Sequence, residues 1–221
     1  MRQRYLKQLE ALHVELICMG ALCEEAISSA TKSLMEGNDS YGKKAINIEQ
    51  DINIIERNIE QMCIRLLLHE QPVASDLRRV TAAQMIIVDM ERIGDQAEDI
   101  AEISVFMKDS SVKSNIHIED MANATIKMVT DSVDAFVTED VIRAQAVIDY
   151  DDIVDNLFIT IKKELIDLLQ KDTSLASECL DLLMVAKYLE RIGDHAVNIA
   201  EWVLYFITGD RYCNTTEANK E

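Results

Sequence analysis

The strings Glu91-Arg92-Ile93-Gly94-Asp95 and Glu190-Arg191-Ile192-Gly193-Asp194 each set two carboxylates four residues apart. On a helix that spacing puts both on one face with β-carbons about 5–6 Å apart. Glu102 and Glu201 extend each stripe two turns further. Like charges so placed repel, and an arrangement written twice calls for compensation. One compensator is a hard cation, which takes oxygen ligands and gathers carboxylates from neighbouring helices. The preceding helix of each half offers donors at the same spacing, Glu49 with Asn53 and Asp151 with Asp155. Asn53 can ligate through its carbonyl oxygen but brings no charge, so the first of the two sites is expected to be the weaker. The alternative is local compensation by Arg57, Arg92, Lys187 or Arg191, or a merely solvated acidic face, and spacing alone favours that alternative.

The glycines shift the balance. Glycine inside a helix costs about 1 kcal/mol relative to alanine, yet Gly94 and Gly193 recur at one seam position beside the carboxylates. That recurrence points to close helix approach or to room for a ligand, and close packing alone would suffice. Other chemistry has less support. His195 lies five residues after Glu190, which is not the Glu-x-x-His spacing of di-iron oxidase bundles. No nucleophile is paired with a base, no glycine loop could cradle a phosphate, and no nucleotide fingerprint occurs, so the chain is not expected to be an enzyme. Arg78-Arg79 forms a basic spot where a helix N-terminus could assist an anion, although a structural role fits better.

The elements that must position these residues are long helices. Apolar residues recur at spacings of three and four: Leu9, Leu12, Leu16, Met19, Cys23 and Ala26, then Ile48, Ile52, Ile55, Ile59, Met62 and Leu66. Gly37-Asn38-Asp39-Ser40 separates these two helices, with Asp39 or Ser40 as the cap of the second. Pro72 separates the second from a third, capped by Ser75 or Asp76, with the seam Val80, Ala83, Ile87, Met90, Gly94, Ala97 and Ala101 and an end near Lys108. After the polar Asp109-Ser110-Ser111 the pattern restarts. Three more helices are expected over about 117–137, 138–171 and 174–208, the last ending at Gly209 and carrying the matching seam Cys179, Leu182, Ala186, Leu189, Gly193, Ala196 and Ala200. The chain is thus an internal duplication. The predicted fold is all-α, six long helices as two tandem three-helix bundles, residues 1–109 and 110–221, the second with a short polar tail.

Composition agrees. Of 221 residues 48% are hydrophobic, while one proline and six glycines are too few for the turns of a sandwich or barrel. Forty acidic against twenty-two basic residues give a net charge of −18, which repels phosphate backbones and anionic lipid, so nucleic acid is not an expected partner. No apolar run approaches the ~20 residues of a membrane span and the first residues lack a secretion signal, so a cytoplasmic location is expected. Cys18, Cys23, Cys63, Cys179 and Cys213 form no C-x-x-C pair and are expected to be reduced thiols, mostly in the core.

The segment Gln71-Pro72-Val73-Ala74-Ser75-Asp76-Leu77-Arg78, the two Glu-Arg-Ile-Gly-Asp strings and the run Leu189 to Glu201 together resemble the PhoU family of bacterial phosphate-signalling proteins. The resemblance spans nearly the whole chain. It implies a non-enzymatic negative regulator of the phosphate-starvation response, a homodimer that couples the ATPase subunit of a phosphate ABC transporter of the Pst type to a sensor histidine kinase. Such a protein is peripheral to the membrane only through its partners. An accessory regulator of a low-affinity phosphate permease, without a kinase, is the alternative. The resemblance also implies metal binding, with Fe, Zn, Mn or Mg on E/D-x-x-x-D motifs that fall on Glu49 with Asn53, Glu91 with Asp95, Asp151 with Asp155, and Glu190 with Asp194. Asn53 departs from that pattern, and the second half has no copy of the Gln71–Arg78 segment.

Overall fold

The computed structural model describes residues 2–209 except 71, 73, 109, 111 and 113–115. Cys213 and the polar tail lie outside the described residues, as do Gln71, Val73, Asp109 and Ser111 of the segments singled out above. Six long helices follow one another: α1 (Arg2–Glu36), α2 (Asp39–Glu70), α3 (Ser75–Ser104), α4 (Ile118–Thr138), α5 (Val141–Lys171) and α6 (Ala176–Thr208), with a short 3-10 turn, Thr173–Leu175, before α6. Among the described residues there is no strand, and no helix is long and apolar enough to cross a membrane.

Helices α1, α2 and α3 pack on one another, and so do α4, α5 and α6, giving the two bundles the periodicity predicts. The bundles join through α3 against α6 and α1 against α4. Those four helices form an inner frame, with α2 lodged on α1 and α3 and α5 lodged on α4 and α6. All seven seam residues of α3 and all seven of α6 are buried, while Ile55 and Met62 of the α2 seam are only half-buried. Burial of these stripes is what holds helices together whose intrinsic propensities alone would not.

Several boundaries differ from the sequence reading. The cap of α2 is Asn38, whose Oδ1 accepts the Ser40 N–H at 3.0 Å, rather than Asp39 or Ser40, because α2 starts one residue earlier than expected. Helix α3 includes Ser75 in its first turn. Ala74 takes the cap position with φ +49° and makes no side-chain cap bond, so neither Ser75 nor Asp76 caps. Helix α3 ends at Ser104, with short-range bonded turns from Val105 to Met107. Asp140, not Thr138, opens α5, its Oδ1 accepting from Ile142 and Arg143 at 2.9 and 3.0 Å. Gly209 ends α6 in the left-handed region at φ +86°. Of the cysteines, Cys23, Cys63 and Cys179 are buried, but Cys18 is exposed, since it falls on the side of α1 away from the seam.

The single-copy segment at the start of α3 ties the halves together. Arg78 Nε donates to the Phe206 carbonyl at 3.3 Å, placing a cation at the C-terminal end of α6, where the helix dipole is negative. Arg79 pairs with Glu139 after α4 and lies over the Phe206 ring at 5.8 Å. His13, Phe136 and Phe206 continue this contact as edge-to-face rings. The basic spot is therefore used for joining bundles.

Candidate metal centre

The repeated Glu-Arg-Ile-Gly-Asp strings sit mid-helix on α3 and α6, where each faces the outer helix of its own bundle. In the first bundle glycine makes the approach possible. A β-carbon on Gly94 would stand 3.1 Å from Ile52 Cδ1 of α2, and one on Gly193 would stand 3.4 Å from Val154 Cγ1 and 3.5 Å from Asp151 Oδ1 of α5. Gly94 thus lets α2 pack closely, whereas Gly193 leaves room for a β-carbon at ordinary contact distance and borders a carboxylate.

In the second bundle the structure brings all four expected acids into one electrostatic group. Burial, then the carboxylates of Asp155, Asp194, Asp152 and Glu190, push the Asp151 carboxyl up to about 6. Burial and then Glu190 raise Asp194 as well, against the opposing pull of Lys187. Lys187 pairs with Glu190 one turn away and lies 5.6 Å from the Phe158 ring centre. Lys187, joined at Asp194 by His195, thus serves a cluster of several carboxylates, and no cation acts on Asp151 among the groups that shift it.

The first bundle is built differently. Glu49 is buried, with its Oε1 accepting from the Asn53 amide, so Asn53 satisfies the neighbouring acid through its N–H instead of offering an extra oxygen. Glu91 and Asp95 share Arg92, at 3.4 and 2.9 Å. This is the local compensation anticipated as the alternative. Burial and then Asp95 still raise Glu91, with Glu56 and Glu49 adding to the effect. Two acids the sequence reading passed over belong here. Glu56 is raised by burial and Glu60 and also feels Asp95, and Glu98 is raised by burial and then Glu49. Extending the Glu49–Asn53 stripe by one turn leads to Glu56, which brings in the negative charge that Asn53 lacks. The matching position in the second bundle is Phe158.

The donor set of the second bundle fits a hard cation by its chemistry, because all four side chains are carboxylates on two facing helices. Among the described residues, no three His, Cys, Asp or Glu side chains already converge as a ligand set. Closing a shell requires the acids to swing together, which their mutual repulsion opposes until positive charge arrives. His195 makes its hydrogen bond away from these acids: its Nδ1 lies 2.9 Å from Asp89 Oδ1, which also accepts from Asn198 at 3.1 Å, a polar link between α3 and α6.

A family model described as the PhoU domain matches this chain twice, at residues 16–104 and 118–203. A Pseudomonas aeruginosa protein described as a phosphate-specific transport system accessory protein PhoU homolog is 33% identical over 99% of this chain and 92% of its own length. A Clostridium acetobutylicum protein of the same description is 35% identical over 94% of this chain and 96% of its own. The crystal structure of PhoU from Pseudomonas aeruginosa matches with a TM-score of 0.87 at 33% identity, over 93% of this chain and 100% of that one. The phosphate transport system regulatory protein PhoU from Streptococcus pneumoniae matches with a TM-score of 0.87 at 27% identity, over 95% and 99%.

Proposed function

This chain belongs to the PhoU family, and on that premise we propose that it is a non-catalytic regulator of phosphate transport and of the phosphate-starvation response. It works in the cytoplasm as a homodimer. It contacts the ATPase subunit of a phosphate ABC transporter and a sensor histidine kinase, and holds the kinase's output off when phosphate is plentiful. The observation that carries this reading is the extent of the likeness: sequence and fold match over nearly the whole chain to proteins named as accessory to phosphate-specific transport. A net charge of −18 suits a protein that acts through cationic protein surfaces.

The reading includes a cation held by Asp151, Asp155, Glu190 and Asp194, with Glu49, Glu91 and Asp95 as a second, weaker group. Bound there, Fe, Zn, Mn or Mg would supply the positive charge that offsets the repulsion among these carboxylates. The protein's own contribution is to hold two acids on α5 against two on α6, with Gly193 bordering Asp151. The support for this is the elevated Asp151 carboxyl, an acid crowded by other acids.

Alkaline phosphatase activity, in a deletion strain and its parent grown in excess phosphate, tests the regulatory reading. High activity confined to the deletion strain is expected. Low activity in both would refute kinase coupling and turn attention to a low-affinity permease, with phosphate uptake as the next assay. For the cation, metal content after equilibration with each ion is compared between wild type and the Glu190→Ala, Asp194→Ala double variant. Metal at background level in wild type, with signalling and stability unchanged in the variant, would make these acids purely structural.

A further inference from the structure

Because the chain is a duplication, each half is a control for the other. The register that pairs Glu49 with Asp151 also pairs Gly37 with Glu139 and Asn38 with Asp140. The backbone follows the same register. Gly37 and Glu139 are both left-handed, at φ +67° and +55°. Asn38 and Asp140 both accept the N–H two residues on, at 3.0 and 2.9 Å. One turn design therefore starts α2 and α5, but the side chains it presents differ. Helix α2 opens with Asp39, Ser40, Lys43 and Lys44, all exposed, as expected of a solvated helix start. In their places α5 has Val141, Ile142, Gln145 and Ala146. The fold does not require apolar residues there, and Ile142, 82% exposed, does not serve the core.

Val141, Ile142 and Ala146, with Leu204 of α6, line an open groove of about 570 Å³, within the ~300–1,000 Å³ range of binding pockets. Gln145 and Asp149 form its polar rim. Asp149 Oδ1 accepts from Gln145 Nε2 at 2.9 Å, a neutral donor, and no ion pair neutralises it among the described residues. The Asp140 cap fixes the first turn of α5, so the apolar surface is presented by a set backbone.

We propose that this groove docks a segment of another protein, one that inserts a large apolar side chain beside a lysine or arginine reaching Asp149. Charge complementarity selects the occupant. A second copy of this chain would bring its own excess of acids to an already acidic rim, whereas a cationic segment gives Asp149 a positive charge to set against its own. The proposal rests on the reading of this chain as a regulator acting through protein contacts, and makes the groove the place where one of those partners sits.

The test titrates the purified full chain against the transporter's ATPase subunit and against the cytoplasmic region of the kinase. It compares wild type, Ile142→Glu, Asp149→Lys and Ser40→Glu, the last at the position in α2 that matches Ile142. One partner is expected to bind wild type and Ser40→Glu alike, and to bind Ile142→Glu at least about tenfold more weakly. Asp149→Lys should weaken binding several-fold and flatten its salt dependence. Ile142 and Asp149 lie outside the core, and unchanged melting temperatures verify that both variants fold. Equal binding by wild type and Ile142→Glu would overturn the groove and leave the regulatory reading standing; no binding to either partner by wild type would overturn that reading too. Self-association of wild type that Ile142→Glu abolishes would assign the groove to a second copy. Tighter partner binding by a chain ending at Gly209 would assign it to residues 210–221. Either result overturns the proposal.

Discussion

Replacing Asp151 by asparagine separates the cost of this carboxylate from the benefit of a cation. Burial and four neighbouring acids move it from 3.8 to about 6, so the folded chain holds its proton more tightly than the unfolded chain does. The stability contributed by that proton is complete below 3.8 and is lost as pH rises through about 6. At a pH of about 7.5 both states are ionised and the folded one bears the repulsion, worth about 3 kcal/mol at full weight. The side chain keeps access to solvent, and screening leaves about 1 kcal/mol of it. Asp151→Asn keeps the shape and removes the charge. In chelator at that pH it should melt about 2–4 °C above wild type. At a pH of about 5 the gain should fall by about half, because folded wild type has regained its proton. Saturating Mn or Mg should reverse the order, raising wild type more than the variant. Thermal melts with and without cation at both pH values check this, with Asp167→Asn on the exposed face of α5 as the control. A variant that melts at or below wild type in chelator at the higher pH refutes the repulsion argument. Equal responses to cation refute the ligand assignment.

Gly37→Ala should destabilise the chain by about 1–2 kcal/mol, because a left-handed φ is costly for alanine. Its β-carbon would also stand 2.9 Å from the Lys108 carbonyl oxygen; a urea midpoint no lower than that of wild type would contradict this. The two seam glycines should respond differently. Gly193→Ala meets only ordinary contacts, at 3.4 Å and beyond, and should gain up to about 1 kcal/mol from helix propensity in metal-free protein. Gly94→Ala presses on Ile52 Cδ1 at 3.1 Å and should gain nothing until Ile52→Val removes that atom. A double-mutant cycle with no coupling between positions 94 and 52 would show that this contact is not what requires the glycine.

The helices and the duplication were legible because both are written as period. Leu12, Leu16, Met19 and Cys23 fall every three or four residues and are all fully buried, and the strings at 91 and 190 repeat within matching seams. The acidic stripes were legible for the same reason, since spacing of four on a helix is a local property. What period does not carry is the identity of a partner distant in sequence. Arg78 read as a basic spot with a structural role, but only the antiparallel meeting of α3 with α6 shows its partner to be the Phe206 carbonyl. Asp89 and His195 lie 106 residues apart and look unrelated until the same packing joins them. Asn53 read as a donor of oxygen, but an amide beside a buried carboxylate turns its N–H toward it. Cap positions were misplaced by one residue because Asn38, Asp39 and Ser40 are all competent caps and only the backbone chooses among them.

The placement of α2 and α5 outside the frame of α1, α3, α4 and α6 sets an order in which the molecule can come apart. Each outer helix rests on two neighbours from its own half, whereas the inner helices are also braced across the halves. Lifting an outer helix therefore breaks one set of local contacts and leaves the seam between halves standing, so α2 or α5 can open while the halves stay joined. The acids of the second bundle lie across such a liftable joint. An ion that fastens α5 to α6 would thus act as a latch on a local opening reaction, slowing amide exchange along α5 far more than it raises the stability of the whole.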